Sequence, residues 1–143
     1  MPISFHNADI RFSFKQKKAV KLFIEKQLSG LKKNIHINYI FCSDEYLLDI
    51  NRKFLKHDYY TDIITFSLSE SENTLESEIY ISIDRVKENA KTLSVEFEDE
   101  LLRVMFHGVL HLLGHKDKTK AQKAAMRKLE NKWIKGFKSN QLR

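Results

Sequence analysis

Residues 96–113 read as one long and very apolar helix, and the fold has to be built around it. The segment opens on Glu96, Glu98, Asp99 and Glu100, carboxylates that complement the positive end of a helix dipole. It continues through Val104, Met105, Phe106, Val109, Leu110, Leu112 and Leu113, and Gly114 suits the left-handed position that ends a helix. Two histidines interrupt this apolar surface. His107 and His111 are four residues apart, so their rings project from one face, one turn apart. Imidazoles on such a helix need partners if they are buried.

The remaining pattern supplies a sheet and further helices. Residues 3–14 alternate (Ile3, Phe5, then Ile10, Phe12, Phe14) as one or two short strand pieces should. Ala19, Val20, Phe23, Ile24 and Leu28 predict a helix over 16–28, stopped at Ser29-Gly30. Ile35, Ile37, Tyr39 and Phe41 alternate as a strand. Ser43 or Asp44 then caps a helix with the apolar face Tyr46, Leu47, Ile50 and Phe54. Strands are expected at Asp62–Ser69 and Glu78–Asp84, joined across the polar loop 69–74 as an antiparallel hairpin. A helix follows over about 84–93, and a basic helix over about 119–135 closes the chain. Strands and helices do not alternate strictly. The expectation is therefore α+β: a mixed, mostly short-stranded sheet packed against helices, with a metal site on the long central helix and the loop after it.

Composition narrows the setting. At 143 residues the chain is expected to be a single domain, 1–143, large enough to bury a core. Its lone cysteine, Cys42, permits no disulfide framework, which favours a reducing compartment. The N-terminus has no secretory pattern, and no run of about 18 apolar residues exists to span a membrane. A cytoplasmic protein without a membrane partner or a disulfide-linked partner is expected. The net charge of +6 is uneven. Residues 116–143 hold ten lysines and arginines against Asp117 and Glu130, a net +8, leaving 15 cations against 17 anions elsewhere. Such a tail attracts polyanions through counterion release, although a solvated helix face gives the same pattern.

The His107-x3-His111 spacing lets two imidazoles hold one metal ion, and a third ligand must come from elsewhere. His115 would lie about 12 Å along the axis from His107 if the helix continued. A turn at Gly114 instead brings the chain back, so that Asp117 arrives ten residues after His107. The spacing His-x3-His-x2-Gly-x2-ligand is the one that closes the site of metzincin peptidases, and zinc accepts a carboxylate oxygen there. Those peptidases need a glutamate after the first histidine. Here the residue is Gly108, which cannot move a proton, so peptide hydrolysis is disfavoured.

The run His107-Gly-Val-Leu-His-Leu-Leu-Gly114, with Thr61-Asp-Ile-Ile-Thr-Phe-Ser67 and Glu78-Ile-Tyr-Ile-Ser82, resembles the YbeY family of bacterial metal-dependent endoribonucleases. The resemblance implies one Zn2+ per chain, held by His107, His111 and Asp117. It also implies cleavage of single-stranded RNA, and a role in 16S rRNA 3′-end maturation beside the ribosomal small subunit. Two positions depart from the pattern. The usual third ligand is histidine, so Asp117 makes another divalent metal more competitive. The usual arginine four residues after Asn51 is Leu55, for which Lys56 or His57 could compensate.

In that setting the metal polarises a phosphoryl oxygen or lowers the pKa of a bound water. Lys116, Lys118 and Lys120 would neutralise phosphates, and Lys56 would add to the RNA contact. His115 would be a proton donor to the leaving oxygen, or else an exposed loop histidine. Asp62 would orient a ligand histidine, or else serve as a cap or ion-pair partner. His6 and His36 are expected to be structural, and His57 has no assigned role. Two other readings remain at this point: a ribosome-assembly RNA-binding factor with a structural metal, and a zinc peptidase.

Overall fold

A computed structural model describes residues 2–141; Arg143, counted in the basic tail, lies outside them. The strands are β1 (Ile3–Asn7), β2 (Asn34–Cys42), β3 (Ile63–Ser67) and β4 (Thr74–Ser82). The helices are α1 (Lys17–Leu28), α2 (Asp44–Phe54), α3 (Ile83–Leu93), α4 (Phe97–Leu112) and α5 (Lys120–Gln141). The sheet order is β1-β2-β4-β3. The β1–β2 and β2–β4 pairs are parallel, while β3 runs antiparallel to β4 with Ile63 opposite Ile81. The fold is thus α+β with a mixed sheet, as the sequence pattern implies, and β3 and β4 form the expected hairpin.

Three boundaries differ from the sequence expectation. No strand forms over 10–14. The Asn7 side-chain amide donates to the Phe12 carbonyl at 2.9 Å, which bends the chain away from the sheet after β1. Phe12 and Phe14 then pack on Phe41, with ring centroids at 5.1 and 6.0 Å, so their alternation serves packing rather than pairing. Strand β4 begins at Thr74 instead of Glu78, because its first residues pair with β2 from Asn34↔Thr74 onward, beyond the end of β3. Helix α5 continues to Gln141, held by Phe137, which is buried against Phe23 and Phe106.

Local chemistry sets the helix ends. The Ser43 hydroxyl accepts from the Tyr46 amide and caps α2; Ser82 does the same for α3 through Arg85. At the start of α5, Thr119 Oγ1 accepts from the Gln122 amide and Gln122 Oε1 accepts from the Thr119 amide, a reciprocal capping box.

Helix α4 lies on the sheet with α5 against its other side. Ile37, Tyr39, Ile79 and Ile81 of the sheet and Leu101, Met105, Phe106 and Val109 of α4 are all buried, as are Met126, Trp133 and Phe137 of α5. Each such large side chain contributes about 1.5–3 kcal/mol by leaving water. The Tyr39 hydroxyl donates to the Met105 carbonyl at 2.9 Å, pinning the helix to the central sheet two residues before His107. Among the described residues, no helix is long and apolar enough to cross a membrane.

Candidate metal centre and its cavity

The site grows from the C-terminal half of α4. His107 and His111 both lie on this helix, as the spacing predicts. His107 is partly buried and His111 exposed. Gly114 ends the segment with φ +102°. Its amide donates to the His111 carbonyl at 3.0 Å, and the His115 amide donates to the Leu110 carbonyl at 3.2 Å. This double closure is the Schellman arrangement, and it satisfies two carbonyls that a helix end leaves open. The chain then folds back and sets Asp117 Oδ2 3.3 Å from His107 Nε2.

The other face of the His107 ring is held from α5. His107 Nδ1 lies 2.7 Å from Glu130 Oε2. The second carboxylate oxygen, Oε1, accepts from Arg103 Nη1 at 2.9 Å, and Arg103 Nη2 donates to Asn131 Oδ1 at 2.8 Å. Glu130 is only 5% exposed, so this carboxylate is a buried group with both oxygens engaged. Burial alone would raise its pKa, but hydrogen bonds from His107 and Arg103 outweigh that and hold it below the usual range. His107 is raised above 6.5, first by the hydrogen bond to Glu130; burial opposes this, and the charges of Glu130, Asp117 and Asp62 reinforce it.

Beside His107 opens a cavity of about 380 Å³ between α4, α5 and the start of β3. Asp62, Glu100 and Glu130 contribute carboxylates to it, and Arg103, Lys123 and Arg127 contribute cations. Burial raises the pKa of both Asp62 and Glu100. Asp62 does not bond His107; its Oδ2 accepts from Asn89 at 3.2 Å.

The sequence-derived candidates divide into two groups. His107 and Asp117 meet. His111 stands one turn away outside the cavity walls, and His115, Lys116, Lys118 and Lys120 are exposed on the loop and the start of α5. Lys56 is exposed, with φ +56°, in the loop after α2, and does not line the cavity. His57 meets Tyr59, its Nδ1 2.8 Å from the hydroxyl.

A metal ion can be tested against the donors present. Two imidazoles and a carboxylate are donors that zinc accepts. The 3.3 Å between His107 Nε2 and Asp117 Oδ2 matches the edge of a tetrahedron with bonds of about 2.0–2.1 Å. The donors fit at these two points. Among the described residues, His111 is not gathered with them into a three-ligand cluster.

Sequence reasoning missed Glu130, Arg103, Lys123 and Arg127. A signal for Glu130 existed: Met126, Glu130, Trp133 and Phe137 recur at helical spacing, which puts an acid in the middle of the apolar stripe of α5. Gly108 also gains a structural reason. A Cβ there would lie 2.9 Å from Ile63 Cδ1 and 3.2 Å from Ile79 Cδ1, so this position faces the sheet and not the cavity. The place of the peptidase glutamate is therefore core.

A four-stranded mixed sheet bearing a central helix with His-x3-His, a glycine turn and a returning carboxylate defines a small α+β class of protein. The chain belongs to the YbeY family: the profile described as endoribonuclease YbeY matches residues 2–138. It is 48% identical over 130 residues to the endoribonuclease YbeY of Cytophaga hutchinsonii, covering 90% of this chain and 91% of that one. With the endoribonuclease YbeY of Flavobacterium psychrophilum it is 46% identical over 136 residues, covering 94% and 96%. Its fold is similar to the solution structure of TM1509 from Thermotoga maritima, with a TM-score of 0.63 and 28% identity over 96% of this chain and 93% of that one.

Proposed function

We propose that this protein is a metal-dependent, single-strand-specific endoribonuclease that acts in rRNA processing, at the 3′ end of 16S rRNA, in the cytoplasm and on the small ribosomal subunit. The observation that carries the reading is the 3.3 Å meeting of His107 Nε2 and Asp117 Oδ2 at the edge of a cavity carrying Arg103, Lys123 and Arg127. Full-length similarity to proteins named endoribonuclease YbeY supports the reaction class.

His107, Asp117 and His111 would hold Zn2+, or another divalent cation favoured by the carboxylate. When bound, the ion supplies Lewis acidity toward a phosphoryl oxygen and lowers the pKa of a water. The chain's own groups do the rest. Lys123 and Arg127 flank the cavity and neutralise the phosphates on either side of the scissile bond. Lys116, Lys118 and Lys120 extend that positive surface, Lys56 adds a separate RNA contact from the loop after α2, and His115, exposed two residues from Asp117, gives a proton to the leaving oxygen. Gly108 offers no base, and its position faces the sheet, which counts against peptide hydrolysis.

The test is metal content and cleavage of a single-stranded rRNA fragment, measured on the parent, His107→Ala and Asp117→Ala. Metal and cleavage should fall together in both variants. Metal-loaded parent that binds the RNA but leaves it intact would replace the enzyme reading with an assembly factor holding a structural metal.

A further inference from the structure

We propose that Glu130 is the positioning residue of the metal centre, fixing the His107 ring so that Nε2 faces Asp117 and the coming metal ion. The inference rests on the metal reading above and goes beyond it, because nothing in the motif 107–117 refers to α5.

The geometry carries it. A histidine on a helix surface can rotate about two side-chain bonds, and either nitrogen can carry the proton in the neutral ring. Glu130 removes that freedom. Its Oε2 accepts from His107 Nδ1 at 2.7 Å, so in the neutral ring the proton sits on Nδ1 and the lone pair on Nε2. That second atom is the one 3.3 Å from Asp117 Oδ2. Ligand histidines are commonly oriented and made more basic by a carboxylate in this way.

Glu130 is itself held. Arg103 and His107 are one helical turn apart on α4 and grip one carboxylate oxygen each. Asn131 fixes the far side of the Arg103 guanidinium. A buried acid alone costs stability, and this one is matched to a cation and a ring N–H. The arrangement makes α5 part of the centre. Its buried stripe, Met126, Trp133 and Phe137, sets the height at which Glu130 meets α4.

The experiment measures Zn2+ affinity by competition with a chromophoric chelator in the full chain, comparing the parent with Glu130→Gln, Glu130→Asp and the double variant Arg103→Met/Glu130→Gln. Thermal melts of the zinc-free proteins correct each value for its folded fraction. The double variant removes both partners and so avoids a stranded guanidinium if Glu130→Gln folds poorly. Glu130→Gln is expected to lose about 10–100-fold in affinity after that correction. Glu130→Asp should recover part of it. The side-chain ¹⁵N spectrum of His107 in the zinc-bound parent should show its proton on Nδ1, with a mixture of tautomers in Glu130→Gln.

Unchanged zinc affinity and an unchanged His107 spectrum in folded Glu130→Gln or the double variant overturn the proposal while leaving the metal reading intact. A parent that binds no zinc overturns both.

Discussion

The Tyr39 hydroxyl, fully buried beneath α4, donates to the backbone carbonyl of Met105 at 2.9 Å. Tyr39 lies on the central strand β2 and Met105 stands two residues before His107, so the bond sets the height of the histidine over the sheet. Burial has pushed the phenol well above its usual pKa, and it stays a neutral donor at any ordinary pH. The hydroxyl is surrounded by core, and its removal leaves a carbonyl that still has its helix partner. Tyr39→Phe should therefore lose about 0.5–1.5 kcal/mol of unfolding free energy in urea denaturation, with the fold retained.

Gly108 marks the closest approach of α4 to the sheet. Alanine is a better helix former by about 1 kcal/mol, but its Cβ would meet Ile63 Cδ1 at 2.9 Å and two Ile79 carbons at 3.2 and 3.3 Å. Overpacking of this kind costs about 1–3 kcal/mol. The net expectation for Gly108→Ala is a loss of stability of about 1 kcal/mol. The double variant Gly108→Ala/Ile63→Val, which removes the atom at 2.9 Å, should be more stable than the single one in the same denaturation series.

Gly114 is the opposite case. A Cβ there meets nothing within 4 Å, yet φ is +102°. The cost of Gly114→Ala is all backbone, about 1–2 kcal/mol, and it falls on the turn that returns Asp117 to His107. Metal affinity should drop in Gly114→Ala more than in Gly108→Ala, although both lose comparable stability. Isothermal titration with zinc on the two variants checks this ordering.

Much of this arrangement was legible along the chain because it is local. A helix ended by a glycine, with histidines at i and i+4 and an acid three residues past the turn, is written within eleven consecutive positions. The alternation of β2, β3 and β4 was equally local, and the polar loop between β3 and β4 announced their hairpin. Pairings set by partners distant in sequence were not legible. Thr74 to Ser77 looks like loop until β2 pairs with it. Glu130 reads as one of two acids opposing a basic tail until α5 docks and turns it onto His107, 23 residues earlier. The charge pattern shows that the tail is basic but not which cations line the cavity: Lys123 and Arg127, exposed one and two turns into α5, do so, and Lys116, Lys118 and Lys120 stand outside its lining.

That last point fixes an expectation for RNA binding. Each phosphate neutralised on a single strand contributes about 0.7 to the slope of log affinity against log salt. If Lys123 and Arg127 both contact phosphates, the variant Lys123→Gln/Arg127→Gln should bind single-stranded RNA with a slope shallower by about 1.4. Lys56→Gln lies away from the cavity and should change the slope by no more than one contact. Fluorescence anisotropy across a salt series, with the cleavage step blocked by a chelator, measures both.

The pairing of His107 with Glu130 also predicts a pH window for the metal-free chain. The His107 pKa is raised above its unfolded value of 6.5, so its contribution is complete below that pH and is lost as pH rises through the raised value. The Glu130 pKa is lowered from 4.5, so its contribution is complete above 4.5 and is lost as pH falls through the lowered value. Both are present together between about pH 4.5 and 6.5, with imidazolium facing carboxylate at 2.7 Å. The stability difference between parent and Glu130→Gln, measured by urea unfolding in the presence of a chelator, should peak in that window and shrink on both sides. If Nε2 takes zinc as proposed, the metal replaces a proton there, so saturating zinc should stabilise the parent increasingly as pH rises above 6.5.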